Sequence, residues 1–404
     1  MKDQMFTLYV YNTIQRHVNN SQGNFFFNSD FFLGKEPPSL DDLQDDLRRG
    51  DDTFISKLQY FSQSIKGSDS FWRGKTVELE NWINHHIAQG NGPPNFFITL
   101  SCAENWWPDL RRLMIELETN AGDVEQVKLL EDDGEIGFKA MCKSARRWPL
   151  YVNEYFMERA KLFLDTIVKE GLGVEHYWAR VEFAPGRGQI HLHLLAISKD
   201  KSYLEDYYKA QTEEEKARVI STYAESILEM TADVEVDDSE NYKEDPANSA
   251  LNLRYCEVAD NDEDDRRLCQ ACMMHHCNDY CLRDIKPDGP RECRVLAGRE
   301  SKRGLKDTKG WENHNHHRIY TDRRRIKHLQ MRRTKSRRAV QHSKLLLRTW
   351  RANCDIKLII YETDPNCPDI SEIDNVIRYL VAYAGKKNKT HIQEKNIIHD
   401  LITR

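Results

Sequence analysis

The sequence predicts an α+β protein, on three observations. Short β-rich runs bounded by turn residues recur at NFFITLS (Asn95–Ser101) and CDIKLIIY (Cys354–Tyr361). Two further strands, Glu175–Phe183 and Gln189–Ile197, are separated only by APGRG, which makes them an antiparallel hairpin. Between the first strand and the hairpin, Phe156, Ala160, Phe163, Leu164, Ile167 and Val168 recur at helical spacing over Asn153–Glu170, and Gly171 and Gly173 end that helix.

The other elements follow in order. Residues 1–94 read as a mainly helical N-terminal region, with EPPSLDDLQDDL and TVELENWINHHI as its helices and QGNGPP closing the second. Residues 95–200 hold the first strand, the helix and the hairpin. A polar, charge-segregated insertion occupies 201–350, and 351–404 returns to order with the CDIKLIIY strand and a helix from Ser371 to Lys386. Ser371 can cap that helix, with Asp374 in a capping-box position.

Composition narrows the function classes. The chain has 404 residues, 31% of them charged, and a net charge of −6. Nothing approaches the roughly 18–20 apolar residues that span a bilayer, and the start lacks the apolar stretch of an export signal. An intracellular protein with no membrane partner is expected. The net charge hides a division: Glu229–Asp265 is acidic, whereas Arg318–Arg351 carries 13 Lys/Arg against the single acid Asp322. A surplus of that size suits a polyanion, and Arg323, Arg324, Arg325, Arg332 and Arg333 are the candidate DNA contacts. GSDSFWRGKT imitates a phosphate loop but has Asp69 where the loop needs glycine, so no nucleotide site is expected.

Three groups of residues could carry chemistry. His191 and His193 flank Leu192 on a strand, so both imidazoles point to one face and form half of a metal site. Glu182, across the hairpin, is the first choice of third ligand and Gln189, on the histidine face, the second. Tyr379 and Tyr383 stack one turn apart on a flank of the C-terminal helix, with Lys386 the next along; such pairs are ordinarily packing residues, but a phenol beside a metal and DNA can attack phosphorus. His275, Cys277, Cys281 and Cys293 give an HxCx₃C…C set for a structural Zn²⁺, with Cys269, Cys272 and His276 as spares.

FFITLSCAENWWPDL, ARVEFAPGRGQIHLHLL, CMMHHCNDYCLR, LLLRTWRANCDIKLIIYETDP and YLVAYAGKK follow one another in the order found in Helitron-type rolling-circle transposases. The chain resembles their replication-initiator nuclease domain, of the HUH (His-hydrophobe-His) group, over roughly Asp45–Lys387. The resemblance implies a central antiparallel sheet flanked by helices, with Phe97–Ser101 beside the histidine strand at its centre and a zinc-binding module inserted. It implies a single-stranded DNA endonuclease and strand transferase: a tyrosine attacks a phosphate, leaving a 5′-phosphotyrosine and a free 3′-hydroxyl, with Mg²⁺ or Mn²⁺ at His191 and His193. Lys386 and the basic segment would hold phosphates nearby. Many relatives carry glutamine two residues beyond the glutamate of the VEF strand; Ala184 stands there, which leaves the third ligand open. The family's helicase domain has no counterpart in this sequence, so the chain is expected to be a fragment, a truncated copy or a nuclease-only form, for which unwinding would need a separate helicase, and the expected location is the nucleus of a eukaryotic host. The alternatives are a viral or plasmid replication initiator and a non-catalytic zinc-containing DNA-binding module.

Overall fold

A computed structural model describes residues 49, 69–132, 134–183, 189–235, 262–275, 282–284, 291–293, 299–300, 306–307, 315–321, 327–336, 338–361 and 378. The chain divides into two compact units. In the smaller, made of Met1–Asn84, Ala184–Gly188 and Leu380–Arg404, the described residues are 49 and 69–84, the latter within helix α1 (Asp69–Ala88). The larger, His85–Phe183 with Gln189–Tyr379, holds the sheet.

That sheet is built about β1 (Phe96–Ser101), whose run of aromatic and β-branched residues suits a pleated, covered surface. On one side β1 pairs antiparallel with β3 (Ile190–Ser198), which pairs with β2 (Val174–Phe183). On the other it pairs with β12 (Cys354–Ile360), followed by β10 (Lys327–Gln330) and β9 (Arg318–Thr321). The order is β2-β3-β1-β12-β10-β9, six strands and every pairing antiparallel. The expected mixed α+β sheet protein is therefore observed, with β1 and the histidine strand side by side. β9 and β10 come from the basic segment of the long insertion and complete this sheet rather than standing apart from it.

Helices follow β1: α2 (Pro108–Asn120), α3 (Val124–Leu130), α4 (Glu135–Arg147) and α5 (Pro149–Phe163). Pro108 and Pro149 open α2 and α5, where a preset φ helps and a missing N–H costs nothing. The Asp123 side chain caps α3 by accepting from the Gln126 N–H at 3.1 Å. The helix expected over Asn153–Glu170 begins earlier, at Pro149, and after Phe163 widens into a π-helical stretch, Leu164–Gly171. Beyond β3 lie α6 (Ser202–Lys209) and α7 (Glu213–Ile227), the latter opened by a complete Thr212/Glu215 capping box. β4 (Met230–Thr231) pairs with β11 (His342–Ser343); α8 (Asp262–Leu268) runs into a π-helical turn, Cys269–Met273; α9 (Lys344–Trp350) leads into β12.

Alternation along the strands divides the sheet into two faces. Phe96, Ile98 and Leu100, with Leu192, Leu194 and Ala196 and with Cys354, Ile356 and Leu358, join Leu110, Met114, Phe156 and Phe163 in one hydrophobic core. Trp107 and Trp350 are completely buried there, their rings edge to face at 5.3 Å. The Arg159 guanidinium stacks on both, 4.6 and 5.4 Å from their centroids, and donates to the Trp350 carbonyl at 2.9 Å. The Trp350 indole N–H donates to the Ser101 carbonyl at 2.9 Å, which locks α9 onto the end of β1. Burying an aromatic of this size stabilises by several kcal/mol, so truncating Trp350 to alanine costs about 3–5 kcal/mol. Arg351, with φ 56°, turns the chain from α9 into β12; its carbonyl accepts from the Trp107 indole at 3.2 Å, which helps hold an αL conformation that non-glycine residues disfavour.

Candidate functional site on the second face of the sheet

The second face carries the residues with reactive chemistry. Antiparallel partners share a face, so the register lays out rows across it. One row is Glu182, His191 and Ser101; the next is Arg180, His193, Thr99 and Asp355; a third is Trp178, Leu195, Phe97 and Lys357. The core-facing neighbours of His191 and His193 are apolar and buried, which fixes strand register and hence the direction of both imidazoles.

Glu182 and His193 meet directly: Oε2 lies 2.8 Å from Nε2, with the two side chains 11% and 13% exposed. The other ring nitrogen, Nδ1, is 3.1 Å from the Thr99 hydroxyl, and the Phe97 ring stacks on the imidazole at 5.8 Å with planes 12° apart. His193 is thus fixed by three neighbours. His191 Nδ1 lies 3.0 Å from the Gln189 carbonyl, which can only accept; the proton therefore sits on Nδ1 and the lone pair of the neutral ring on Nε2. The Gln189 side chain donates to the Cys102 carbonyl at 2.6 Å, just beyond the end of β1. Arg180 lies directly across from His193 in the register; burial lowers its pKa and the Glu182 carboxylate opposes that.

Thr99, Phe97 and Arg180 were not singled out from sequence. Their only signal there is the two-residue alternation of β1 and β2, which becomes informative once the pairing register is known.

The donor set, two imidazoles and a carboxylate on one face of a hairpin, has the chemistry of a divalent-cation site. Among the described residues no three His, Cys, Asp or Glu side chains converge as a ready-made cage. The close pair is Glu182 with His193, and His191 lies one place along the same face.

The remaining candidates are distributed as follows. Tyr379, Tyr383 and Lys386 lie outside the described residues, as do Cys277, Cys281, His276, Arg323, Arg324 and Arg325. His275 is half-buried, its backbone N–H donating to the Arg338 carbonyl at 2.9 Å. Cys293 lies in the short strand β6 (Arg291–Cys293), paired with Leu282 of β5 (Leu282–Asp284). Cys269 is fully buried in the hydrophobic core, where burial pushes its thiol up to about 12. Arg332 is exposed and its guanidinium lies 3.4 Å from Asp233, whereas Arg333 is only 4% exposed. Of the two described arginines expected to hold phosphates, one is exposed and the other lines a half-open cavity.

An antiparallel sheet with helices on a core face and a His-x-His strand on the other defines an α+β protein built to present polar chemistry from a rigid surface. Residues 1–196, just under half of the chain, match the family model described as the Helitron helicase-like domain at N-terminus. A Helitron-associated domain implies a role in Helitron transposition. No curated protein matches the chain. Among the described residues no helix is long and apolar enough to cross a membrane.

Proposed function

We propose that the chain is a metal-dependent single-stranded DNA endonuclease and strand transferase of rolling-circle, Helitron-like transposition. The observation that carries this reading is the Glu182–His193 contact beside His191, on one sheet face of a chain whose first 196 residues match a Helitron domain. A divalent cation held by His191, His193 and Glu182 would polarise the scissile phosphate and offset charge on its oxygens.

The chain's own residues supply the rest. Hydrogen bonding to the Gln189 carbonyl holds His191 in the tautomer whose Nε2 can ligate. Thr99 serves His193 in either tautomer, because a hydroxyl both donates and accepts: it donates to Nδ1 while Nε2–H bonds Glu182, and accepts from Nδ1–H once Nε2 has given up its proton. With a cation bound, Glu182 would serve as an oxygen ligand instead of a partner for the His193 N–H, with the charge of Arg180 beside it.

Tyr379 or Tyr383 is the nucleophile. Its oxygen forms a bond to phosphorus as the bond from phosphorus to the 3′-oxygen breaks; the phenol proton is lost and the departing 3′-oxygen gains one. A phenol has a pKa near ~10, so the attack depends on activation at the site. The reverse reaction, with a different 3′-hydroxyl, transfers the strand without an external energy source. The structural Zn²⁺ of His275, Cys277, Cys281 and Cys293 belongs to the same proposal as a folding element of the insertion, and Lys386 with the basic segment as phosphate contacts.

The test is incubation with end-labelled single-stranded DNA and Mn²⁺, then a denaturing gel. A covalent protein–DNA band is expected. A shift on native gels without a covalent band selects a binding module instead.

A further inference from the structure

A cavity of about 240 Å³ opens between β9, β10, β12 and the segment that follows β10. Tyr320, His328, Gln330, Arg333, Asp355 and Lys357 are among the residues lining it. Asp355 is in register with Thr99, the residue bonded to His193, so the cavity lies two strands along from the histidines, roughly 10 Å at the usual strand spacing.

Its lining is organised for a flat, polar ligand. The Tyr320 and His328 rings lie 5.3 Å apart with planes at 31°. Arg333 is 4% exposed. Asp355 faces Lys357 at 3.5 Å. Gln330 is the decisive residue. It is 4% exposed, and its Oε1 accepts from Arg318, which fixes the orientation of the amide. Among the described residues no acceptor lies within hydrogen-bond distance of the buried Gln330 Nε2. A buried donor without an acceptor is unfavourable, and native proteins rarely retain one without a ligand or water to meet it.

We propose that this cavity receives one nucleobase, turned out of the single strand whose backbone passes the histidine pair. The proposal rests on the nuclease reading and adds to it a base-recognising pocket. A nucleobase edge offers both acceptors, for Gln330 and Arg333, and donors, for Asp355, while its face stacks on the Tyr320–His328 rings. A phosphate offers acceptors alone and would meet the Asp355 carboxylate. Arg333 therefore reads a base, in contrast to the phosphate grip expected of it from sequence.

The test uses the full chain and fluorescein-labelled single-stranded oligonucleotides in buffer without added Mg²⁺ or Mn²⁺ and without chelator, so that binding is read apart from cleavage while the zinc module stays loaded. Single abasic positions are scanned along a cleavable strand. One position is expected to weaken binding about tenfold, the size of one lost base stack. In Gln330→Leu, which is near-isosteric and removes the buried amide, the intact strand should bind about tenfold more weakly and that position should become insensitive. A flat scan with the wild-type protein overturns the pocket, as does an abasic penalty unchanged in Gln330→Leu. So does a Gln330→Leu protein with raised Tm and unaltered Kd, which identifies a cavity filled by water alone. The same oligonucleotides in Mn²⁺ separate the two readings. Covalent adduct with a flat scan rejects the pocket and leaves the nuclease. A position-specific penalty with no adduct supports the pocket and rejects the nuclease.

Discussion

Glu182 stands directly across from His191 in the β2–β3 register, yet its carboxylate meets Nε2 of His193, the diagonal neighbour, at 2.8 Å. One carboxylate therefore lies across from one imidazole of the strand and is bonded to the other, the ring that Thr99 and Phe97 already hold in place. In Glu182→Gln the size is kept and the charge removed. We expect its Mn²⁺ requirement to rise by about tenfold or more, in the range found when residues around a metal are altered. Gln189→Ala should change that requirement less, because the bond to the Cys102 carbonyl anchors the Gln189 side chain beyond the end of β1, whereas Glu182 touches His193 directly. A Mn²⁺ titration of cleavage in which Gln189→Ala is the more affected would pass the role to Gln189.

The histidines should be separable from the fold. His191 and His193 are half-buried and on the face opposite the main core, so the double change to alanine removes little packing. Cleavage should be lost while the circular dichroism melt and single-strand affinity stay near wild type. Loss of the folded signal would make the pair structural.

The tyrosines are expected to act unequally. Four residues of helix advance about 6 Å, too far for both phenols to serve one phosphorus. On a strand allowing a single cut, Tyr383→Phe should slow cleavage more than Tyr379→Phe, since Tyr383 is nearer Lys386 in sequence. The double phenylalanine variant should bind DNA and form no adduct. Mass spectrometry of the trapped adduct identifies the attacking residue, and a link to neither tyrosine would end the proposed mechanism.

Removing Cys281 tests the zinc. Structural zinc contributes folding energy directly, so Cys281→Ala should lose one equivalent of metal and destabilise the insertion. Equal zinc by elemental analysis in both proteins would refute the ligand set.

His342 gives the stability a pH dependence. It is fully buried, its Nδ1–H donating to the Val340 carbonyl at 2.8 Å, and burial lowers its pKa from the ordinary 6.5, with Val340 and Asp265 opposing. The unfolded chain then binds the proton more readily than the folded one, so stability is full above about 6.5 and falls as pH drops through that value. Urea midpoints at pH 7.5 and 5.5 should differ more for wild type than for His342→Leu; equal differences would assign the effect elsewhere.

The strands were largely legible in the sequence because their alternation is strong. β2 and β3 were expected at Glu175–Phe183 and Gln189–Ile197 and occur at Val174–Phe183 and Ile190–Ser198. β9 and β10 were not, since RIYT and KHLQ are four residues each, set in a basic run whose charge dominates any pattern. Helices α2 to α4 also went unread, although Pro108 and Asp123 mark two of their starts. The face bearing His191 and His193 could be read from alternation; Thr99 as their neighbour could not, because β1 and β3 are joined by register across 94 residues.

The sheet order has a consequence for how the protein is made. β1, β2 and β3 have all been made once Ser198 is added, but β1's other neighbour, β12, begins more than 250 residues after β1. Until then one margin of β1 offers unpaired N–H and C=O groups on an apolar strand, an invitation to foreign strands. The residues that match the Helitron domain model end at 196, within β3, and so include that open margin without its natural cover. A nascent chain paused there is a candidate client for chaperones, and synthesis of α9 and β12 is the step that closes it.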